Sequence, residues 1–197
     1  MSEFYRLFIA IEVEEQLKEN IRRVVEKLSR QGGTNVRWVA PANIHITLRF
    51  IGMADERLIA AIRDILQEVA RHYQPFEISL EGLGGFPNFH SPRVIWIGVK
   101  DNSGSLPRIY EEIESGLVKS GLPEDDHPFS SHLTIGRVKS APAKAGRDKL
   151  VELLKAEQGF VAGKETVQSL TLFNSQLRPQ GPIYTTVHAA PLGTARA

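Results

Sequence analysis

Two short segments of the chain each contain a histidine and a threonine with one residue between them. They are HITL at residues 45–48 and HLTI at residues 132–135, and the two histidines are 87 residues apart. Because the ordinary pKa of histidine is about 6.5, a facing pair of imidazoles can supply one base and one acid near neutral pH. In-line displacement at phosphorus needs such a pair, and hydroxyl donors beside it would stabilise charge on the phosphate oxygens. The two segments therefore predict phosphoryl chemistry.

Strand geometry explains why each histidine is followed by a threonine two residues later. Both segments have the alternating pattern of a half-buried strand, in which side chains i and i+2 share a face. His45 and Thr47 then share one face with Arg49, and His132 shares a face with Thr134 in the same way. The opposite face of the first strand, predicted to enter the core, carries Ile46, Leu48 and Phe50.

Hydrophobic periodicity predicts alternating strands and helices along the whole chain. Strands are predicted at 6–11, 36–41, 43–52, 93–100 and 132–139, within 75–86, and in segments 160–177 and 182–192. Helices are predicted at 14–31, 55–73, 105–121 and 145–157. These elements must bring the two His-x-Thr strands together.

The element order repeats within the chain. Leu7 lies 38 residues before His45, and Val94 lies 38 residues before His132. Each half also reads strand, helix, His-x-Thr strand, helix, strand. We therefore predict a single bilobal domain over residues 1–197 with an internal pseudo-repeat, roughly 5–85 and 92–190, whose lobes each contribute one His-x-Thr strand to a shared centre.

In their contexts, HITL and HLTI resemble the paired signature of the two-histidine (2H) phosphoesterase superfamily. Within it the sequence most resembles the RNA 2′,3′-cyclic phosphodiesterases, also called 2′,5′ RNA ligases. The likeness covers nearly the whole chain, through RLFIAIEV, VRWVAPANIHITLRFIG, RVIWIGV, PFSSHLTIGR and LTLFNSQLRPQGPIYTTVHAAPL. It implies an α+β fold of two pseudo-symmetric lobes, each an antiparallel sheet with helices on the outside, and an active-site groove between them.

The resemblance also implies an activity and residue roles. The family opens a 2′,3′-cyclic phosphate of an RNA end or nucleotide to a 2′-phosphomonoester without metal or other cofactor, and some members join RNA through 2′,5′ linkages. By this resemblance His45 is the general acid that protonates O3′, and His132 is the general base that activates water. Thr47 and Thr134 bind the phosphate oxygens. From sequence alone a pseudo-symmetric site leaves acid and base exchangeable.

Three further residues are candidates for substrate contacts. The resemblance makes Arg137 a phosphate ligand, but strict alternation puts it on the face opposite His132. A bulge or bend at Gly136 would return it to the groove, and otherwise it is a surface arginine. Arg49 shares a face with the first motif and is either a substrate contact or peripheral. Phe129 either stacks on a base at the groove mouth or packs in the core.

Composition sets the general class of protein. The 197 residues are 42% hydrophobic, carry a formal charge of +1 and include no cysteine, which excludes disulfides and cysteine-ligated metals. Near-zero charge predicts a local anion site with a footprint of a few nucleotides rather than a general nucleic-acid surface. With no membrane span or secretory signal in the sequence, we expect a cytoplasmic monomer without an obligate protein partner.

Three alternatives stay open. The resemblance implies one of them, a cyclic phosphodiesterase acting on ADP-ribose 1″,2″-cyclic phosphate or another small nucleotide. Another is a non-catalytic module that binds RNA ends, although binding alone does not need two matched imidazoles. The last is a metal protein using both histidines and a carboxylate, which is disfavoured because neither strand has metal-ligand spacing.

Overall fold

The computed structural model describes residues 4–31, 35–126, 128–139 and 144–193. The strands are β1 Tyr5–Glu12, β2 Val36–Trp38, β3 His45–Ala54, β4 Phe76–Phe86, β5 Val94–Lys100, β6 His132–Val138, β7 Val161–Val167, β8 Ser169–Arg178 and β9 Gly181–Pro191. The helices are α1 Glu15–Gln31, α2 Glu56–Arg71, α3 Ser105–Lys119 and α4 Lys144–Ala156, and a 3-10 turn at Pro41–Asn43 precedes β3. Each predicted element is present with ends shifted by a few residues, and segment 160–177 forms two strands.

The strands form two antiparallel sheets. Sheet A has the order β3-β1-β8-β9, and sheet B has the order β2-β6-β5-β4-β7. The two His-x-Thr strands, β3 and β6, contact each other where the sheets meet. The predicted α+β fold, with one motif strand in each of two sheets, is confirmed.

The two lobes do not coincide with the two halves of the sequence. Sheet B takes β2 and β4 from the first half of the chain, and sheet A takes β8 and β9 from the second. Both backbone edges of a central strand need partners. Strand β1 pairs with β3 of the first half and β8 of the second, and β5 pairs with β4 of the first half and β6 of the second. The two sheets therefore do not follow the repeat bounds 5–85 and 92–190, and the single bilobal domain with an internal repeat stays a prediction.

The helices cover the outer faces of the sheets. Helix α2 packs on β8 and β9 and α3 on α2 and β3, whereas α1 packs on β7 and α4 on β4. On α1 the buried residues recur at helical spacing, as Leu17, Ile21, Val24 and Leu28. Buried side chains of both lobes belong to one contiguous core.

Among the helices that the structure describes, none has the length and apolar character that a membrane span requires.

A β-bulge follows each His-x-Thr pair. In β3, Thr47 lies opposite Ala10 and Arg49 lies opposite Ile9, so Leu48 is the extra residue. In β6, Thr134 and Gly136 lie opposite successive residues of β5, so Ile135 is the extra residue. Each bulge falls on the last residue of its four-residue motif and reverses the alternation of side chains beyond it.

Candidate active site

The two histidines open their strands and are held in the same way. Nδ1 of His45 lies 2.8 Å from the carbonyl oxygen of Asn43, and Nδ1 of His132 lies 2.8 Å from that of Ser130. A carbonyl oxygen only accepts hydrogen bonds, so each Nδ1 carries a proton and donates it. In the neutral ring Nε2 is then the free base nitrogen. The two halves of the chain thus present equivalent imidazoles.

Aromatic side chains contact both rings. The His45 ring centroid lies 4.8 Å from that of Phe8 and 5.3 Å from that of Tyr184, which meets it edge-on. The His132 ring meets Phe86 edge-on at 5.0 Å. Phe8 and Tyr184 form with Ala10 and Phe173 a small apolar cluster that is separate from the main core. We call the side of sheet A that carries this cluster, and the side of sheet B that carries His132 and Thr134, the groove face of each sheet. These rings restrict rotation of the imidazoles and partly desolvate the site.

The pKa of His45 lies below its ordinary value. Burial is the main cause, and the positive charge of Arg137 lowers the pKa further, while the hydrogen bond to the Asn43 carbonyl opposes both. Near neutral pH the free protein therefore holds His45 largely in the neutral form, which suits a proton acceptor. To act as the acid of the predicted mechanism, His45 needs the negative charge of bound phosphate to raise its pKa. The assignment of acid and base stays a prediction.

The two threonines occupy the groove face beside their histidines. Thr47 lies opposite Ala10, whose neighbours Phe8 and Tyr184 contact His45, and Thr134 lies opposite the half-buried Trp96. Neither hydroxyl has a hydrogen-bond partner among the residues that the structure describes. Both are therefore available to an incoming ligand.

The bulge at Ile135 carries Arg137 to the groove face. Arg137 lies opposite Val94, and Val94 is on the same side of β5 as Trp96, the neighbour of Thr134. The Arg137 side chain is exposed, and its charge reaches both His45 and Tyr184. Burial raises the pKa of Tyr184, and the Arg137 charge opposes that rise. Arg137 is therefore on the same face as Thr134, as a bulge predicts and strict alternation does not. A phosphate-binding role for Arg137 remains a proposal.

The bulge at Leu48 has the opposite consequence for Arg49. It places Arg49 opposite core-facing Ile9, on the helix side of sheet A. The guanidinium donates to Glu114 of α3 at 2.7 Å and to the carbonyl of Pro123 at 2.7 Å, and the side chain is only 10% exposed. The expectation that Arg49 shares a face with His45 is therefore wrong. Arg49 instead anchors the segment between α3 and β6.

Two phenylalanines also differ in position. Phe50, predicted to be core, is 60% exposed and lies opposite Phe8 with ring centroids 6.1 Å apart, because the same bulge turns it to the groove face. An exposed ring there can stack on a nucleobase. Phe129 stacks on Tyr110 at 4.7 Å and packs against the core, so the core interpretation describes its place in the structure.

Several groove residues were not identifiable from the sequence. Phe8 lies in a strand that is apolar on both faces, so periodicity cannot assign it to the groove. Trp96 is half-buried on the groove face and crosses Gly84, where an added Cβ would lie 2.2 Å from the indole. Tyr184 follows no recognisable motif.

Within the described ranges no cluster of three or more histidine or carboxylate side chains suits a metal ion.

Comparisons with known proteins find relatives over most of this chain. The family model of the 2′-5′ RNA ligase superfamily matches residues 12–177. A protein of Archaeoglobus fulgidus named RNA 2′,3′-cyclic phosphodiesterase is 39% identical over 179 residues, which are 91% of this chain and 96% of that protein. A protein of the same name from Methanothermobacter thermautotrophicus is 37% identical over 181 residues, covering 91% and 95%.

Solved structures show the same fold. The crystal structure of TT0787 from Thermus thermophilus superposes with a TM-score of 0.78 at 25% identity, covering 97% of this chain and 100% of that one. LigT of E. coli, crystallised with 3′-AMP, superposes with a TM-score of 0.74 at 23% identity, covering 98% and 100%. The match over residues 12–177 and the 39% identical relative show that this chain belongs to the 2′-5′ RNA ligase superfamily.

Proposed function

We propose that this protein hydrolyses the 2′,3′-cyclic phosphate at an RNA end to a 2′-phosphomonoester, with His45 and His132 as the proton-transfer pair. The observation that carries the proposal is the matched presentation of the two imidazoles, each fixed through Nδ1 by the carbonyl two residues before it. The names of the curated relatives support cyclic phosphodiester hydrolysis as the reaction class. An imidazole pair of this kind can both accept and donate the protons that the reaction moves.

The proposed reaction is a single in-line displacement. Nε2 of His132 takes a proton from water, and the water oxygen attacks phosphorus on the side opposite O3′. The bond between phosphorus and O3′ breaks, and Nε2 of protonated His45 gives its proton to O3′. The phosphate stays on O2′, and one water is consumed.

The remaining groove residues would stabilise the transition state. Hydroxyls of Thr47 and Thr134 and the guanidinium of Arg137 can donate to the non-bridging oxygens, where charge builds up as the water attacks. The lowered pKa of His45 in the free protein agrees more simply with the reverse assignment, in which His45 is the base. A bound phosphate anion next to His45 reconciles the assignment implied by the resemblance with this shift.

A hydrolysis assay tests the proposal. Adenosine 2′,3′-cyclic phosphate and a short oligonucleotide ending in a cyclic phosphate are incubated with the protein in EDTA, and ³¹P NMR assigns the position of the product phosphate. We expect a 2′-phosphate from at least one substrate. A 3′-phosphate, or turnover only after metal is added, contradicts the mechanism. ADP-ribose 1″,2″-cyclic phosphate is assayed as a third compound, and its hydrolysis without hydrolysis of the other two would make it the substrate class instead. No hydrolysis of any of the three compounds would favour a non-catalytic binding module.

We also propose that the protein acts as a monomer in the cytoplasm. Support for the monomer is that one chain supplies both His-x-Thr strands, so the groove needs no second copy. The cytoplasmic location remains a prediction from the sequence, as does reversible 2′,5′ ligation.

A further inference from the structure

A second arginine lies beside Arg137 on the groove face of sheet B. Arg37, in the short edge strand β2, is directly opposite Arg137 in the antiparallel β2–β6 ladder. Directly opposite residues of such a ladder point to the same face, with Cβ atoms about 4.5–5.5 Å apart. Both side chains are exposed. Arg37 therefore extends the positive charge of the groove by one strand, away from β5.

This arginine pair is uncompensated. Like charges directly opposite each other destabilise a sheet, and within the described ranges neither guanidinium has an ion-pair or hydrogen-bond partner. Some other arginines of the chain are paired with carboxylates. Arg22 on α1 pairs with Glu19 and Glu26, and Arg49 pairs with Glu114. Two adjacent guanidinium groups without carboxylates indicate a site for an anionic ligand.

The backbone that carries Arg37 is held in place. The amide of Val39 donates to the carbonyl of Ile135 at 2.9 Å, and the amide of Lys139 donates to that of Asn35 at 2.9 Å. Gly136 lets Trp38 and Val36 pack directly on β6, because an added Cβ would lie 2.7 Å from Val36. Arg37 thus projects from a fixed strand, so a ligand that meets it is positioned relative to the histidines.

We propose that Arg37 binds a second phosphate of the substrate, namely the 5′ phosphate of the nucleotide whose cyclic phosphate lies at Arg137. The inference rests on the proposed function. In an RNA chain the phosphates on the two sides of one ribose are one nucleotide apart, and Arg37 and Arg137 project from neighbouring strands on the same face of sheet B. The site therefore selects cyclic ends that carry a 5′ phosphate over nucleoside 2′,3′-cyclic phosphates.

A comparison of three substrates with three proteins tests this inference. The substrates are adenosine 2′,3′-cyclic phosphate, its 5′-phosphorylated form, and the dinucleotide ApA ending in a cyclic phosphate. The proteins are the wild type, Arg37→Met, and the control Arg57→Met. Arg57 is an exposed arginine on α2 that also has no ion pair with a described residue. Methionine keeps much of the apolar stem and removes the charge, and exposure of both positions makes unfolding of the variants unexpected.

The expected result is selective loss of one preference. In the wild type KM should be about 5–30-fold lower for the 5′-phosphorylated substrate than for adenosine 2′,3′-cyclic phosphate, as one exposed charge-assisted contact allows. Arg37→Met should abolish most of this difference, because it raises the KM for the 5′-phosphorylated substrate much more than the KM for adenosine 2′,3′-cyclic phosphate. Arg57→Met should keep it. In the wild type the preference should shrink as KCl is raised. If the KM for ApA ending in a cyclic phosphate is lowered as much as that for the 5′-phosphorylated substrate, an internucleotide diester is a sufficient ligand for Arg37. If only the 5′-phosphorylated substrate has a lowered KM, the ligand is a terminal phosphate.

Failures of the two proposals are distinguishable. A wild type that hydrolyses adenosine 2′,3′-cyclic phosphate but shows no preference for a 5′ phosphate overturns the Arg37 site and leaves the proposed function intact. An unchanged preference in both Arg37→Met and the charge-reversing Arg37→Glu does the same. Absence of hydrolysis of all three substrates by the wild type contradicts the proposed function itself, and with it the inference.

Discussion

At the scale of single residues, a pair of backbone carbonyls prepares the two imidazoles for proton transfer. The carbonyls of Asn43 and Ser130 fix the protons on Nδ1, so Nε2 of each ring is the nitrogen that meets substrate. Sequence spacing predicts the histidines and threonines because each pair precedes the bulge in its strand, where alternation still holds. The carbonyl partners could not be predicted, since they depend on the turn before each strand.

Replacing either histidine should abolish most of the activity. His45→Ala or His132→Ala should lower kcat for adenosine 2′,3′-cyclic phosphate by about 10²–10⁴-fold, because one proton transfer loses its catalyst. His90→Ala, at an exposed loop position, serves as the control and should retain the wild-type rate. Initial rates at saturating substrate, with circular dichroism to confirm folding, give the comparison. A near-normal rate in a folded variant would remove that histidine from the chemistry.

The charge of Arg137 should be measurable at His45. In Arg137→Met the pKa of His45 should rise because the repelling guanidinium is gone, but it should stay below about 6.5 because burial, the larger cause, persists. An NMR titration of the His45 Cε1 proton gives both values, and Arg57→Met should leave the wild-type value unchanged. An identical pKa in Arg137→Met would place the guanidinium away from the histidine.

This shift also has a consequence for stability. Folded His45 binds its proton more weakly than the unfolded chain does, so it contributes to the loss of stability as the pH falls through about 6.5.

At the scale of elements, the bulges decide which side chains enter the groove. Each bulge occupies the fourth position of its motif, at Leu48 and Ile135, so the sixth position faces the groove and the fifth faces the helices. Arg137 and Phe50 are the sixth residues, while Arg49 is a fifth residue. The sequence contains a glycine beside only the second bulge, and Leu48 is as apolar as any strand residue. Periodicity therefore had no signal for the first bulge and misassigned Arg49.

Arg49 should behave as a structural residue. Arg49→Met leaves Glu114 without its cation in a site that is only partly hydrated, so the free energy of unfolding should fall by about 1–3 kcal/mol. The control Arg23→Met removes an exposed ion pair to Glu19 and should change the free energy of unfolding by less than about 0.5 kcal/mol. Urea unfolding followed by tryptophan fluorescence measures both. Unchanged stability together with a raised KM for adenosine 2′,3′-cyclic phosphate would instead make Arg49 a substrate contact.

At the scale of the whole molecule, strand exchange joins the lobes into one folding unit. Spacing could show that the halves resemble each other, but it could not show which half completes which sheet. Pairing of β1 with β8 depends on contacts far apart in the chain, and the β4–β5 hairpin joins a strand of the first half to a strand of the second. Neither half contains all strands of either sheet, and one core runs through both lobes. The histidine of one lobe is thereby held at a fixed position relative to that of the other.

This architecture predicts that the lobes unfold together. Trp38 and Trp96 report on sheet B, and the His45 proton resonance reports on sheet A, so urea transitions of the two probes should coincide. Calorimetric and van't Hoff enthalpies of thermal unfolding should also agree, as in a two-state transition. Separate midpoints for fluorescence and the His45 resonance would show independent lobes. In that case the distance between the two imidazoles would vary with lobe motion, and catalysis would depend on substrate to draw the lobes together.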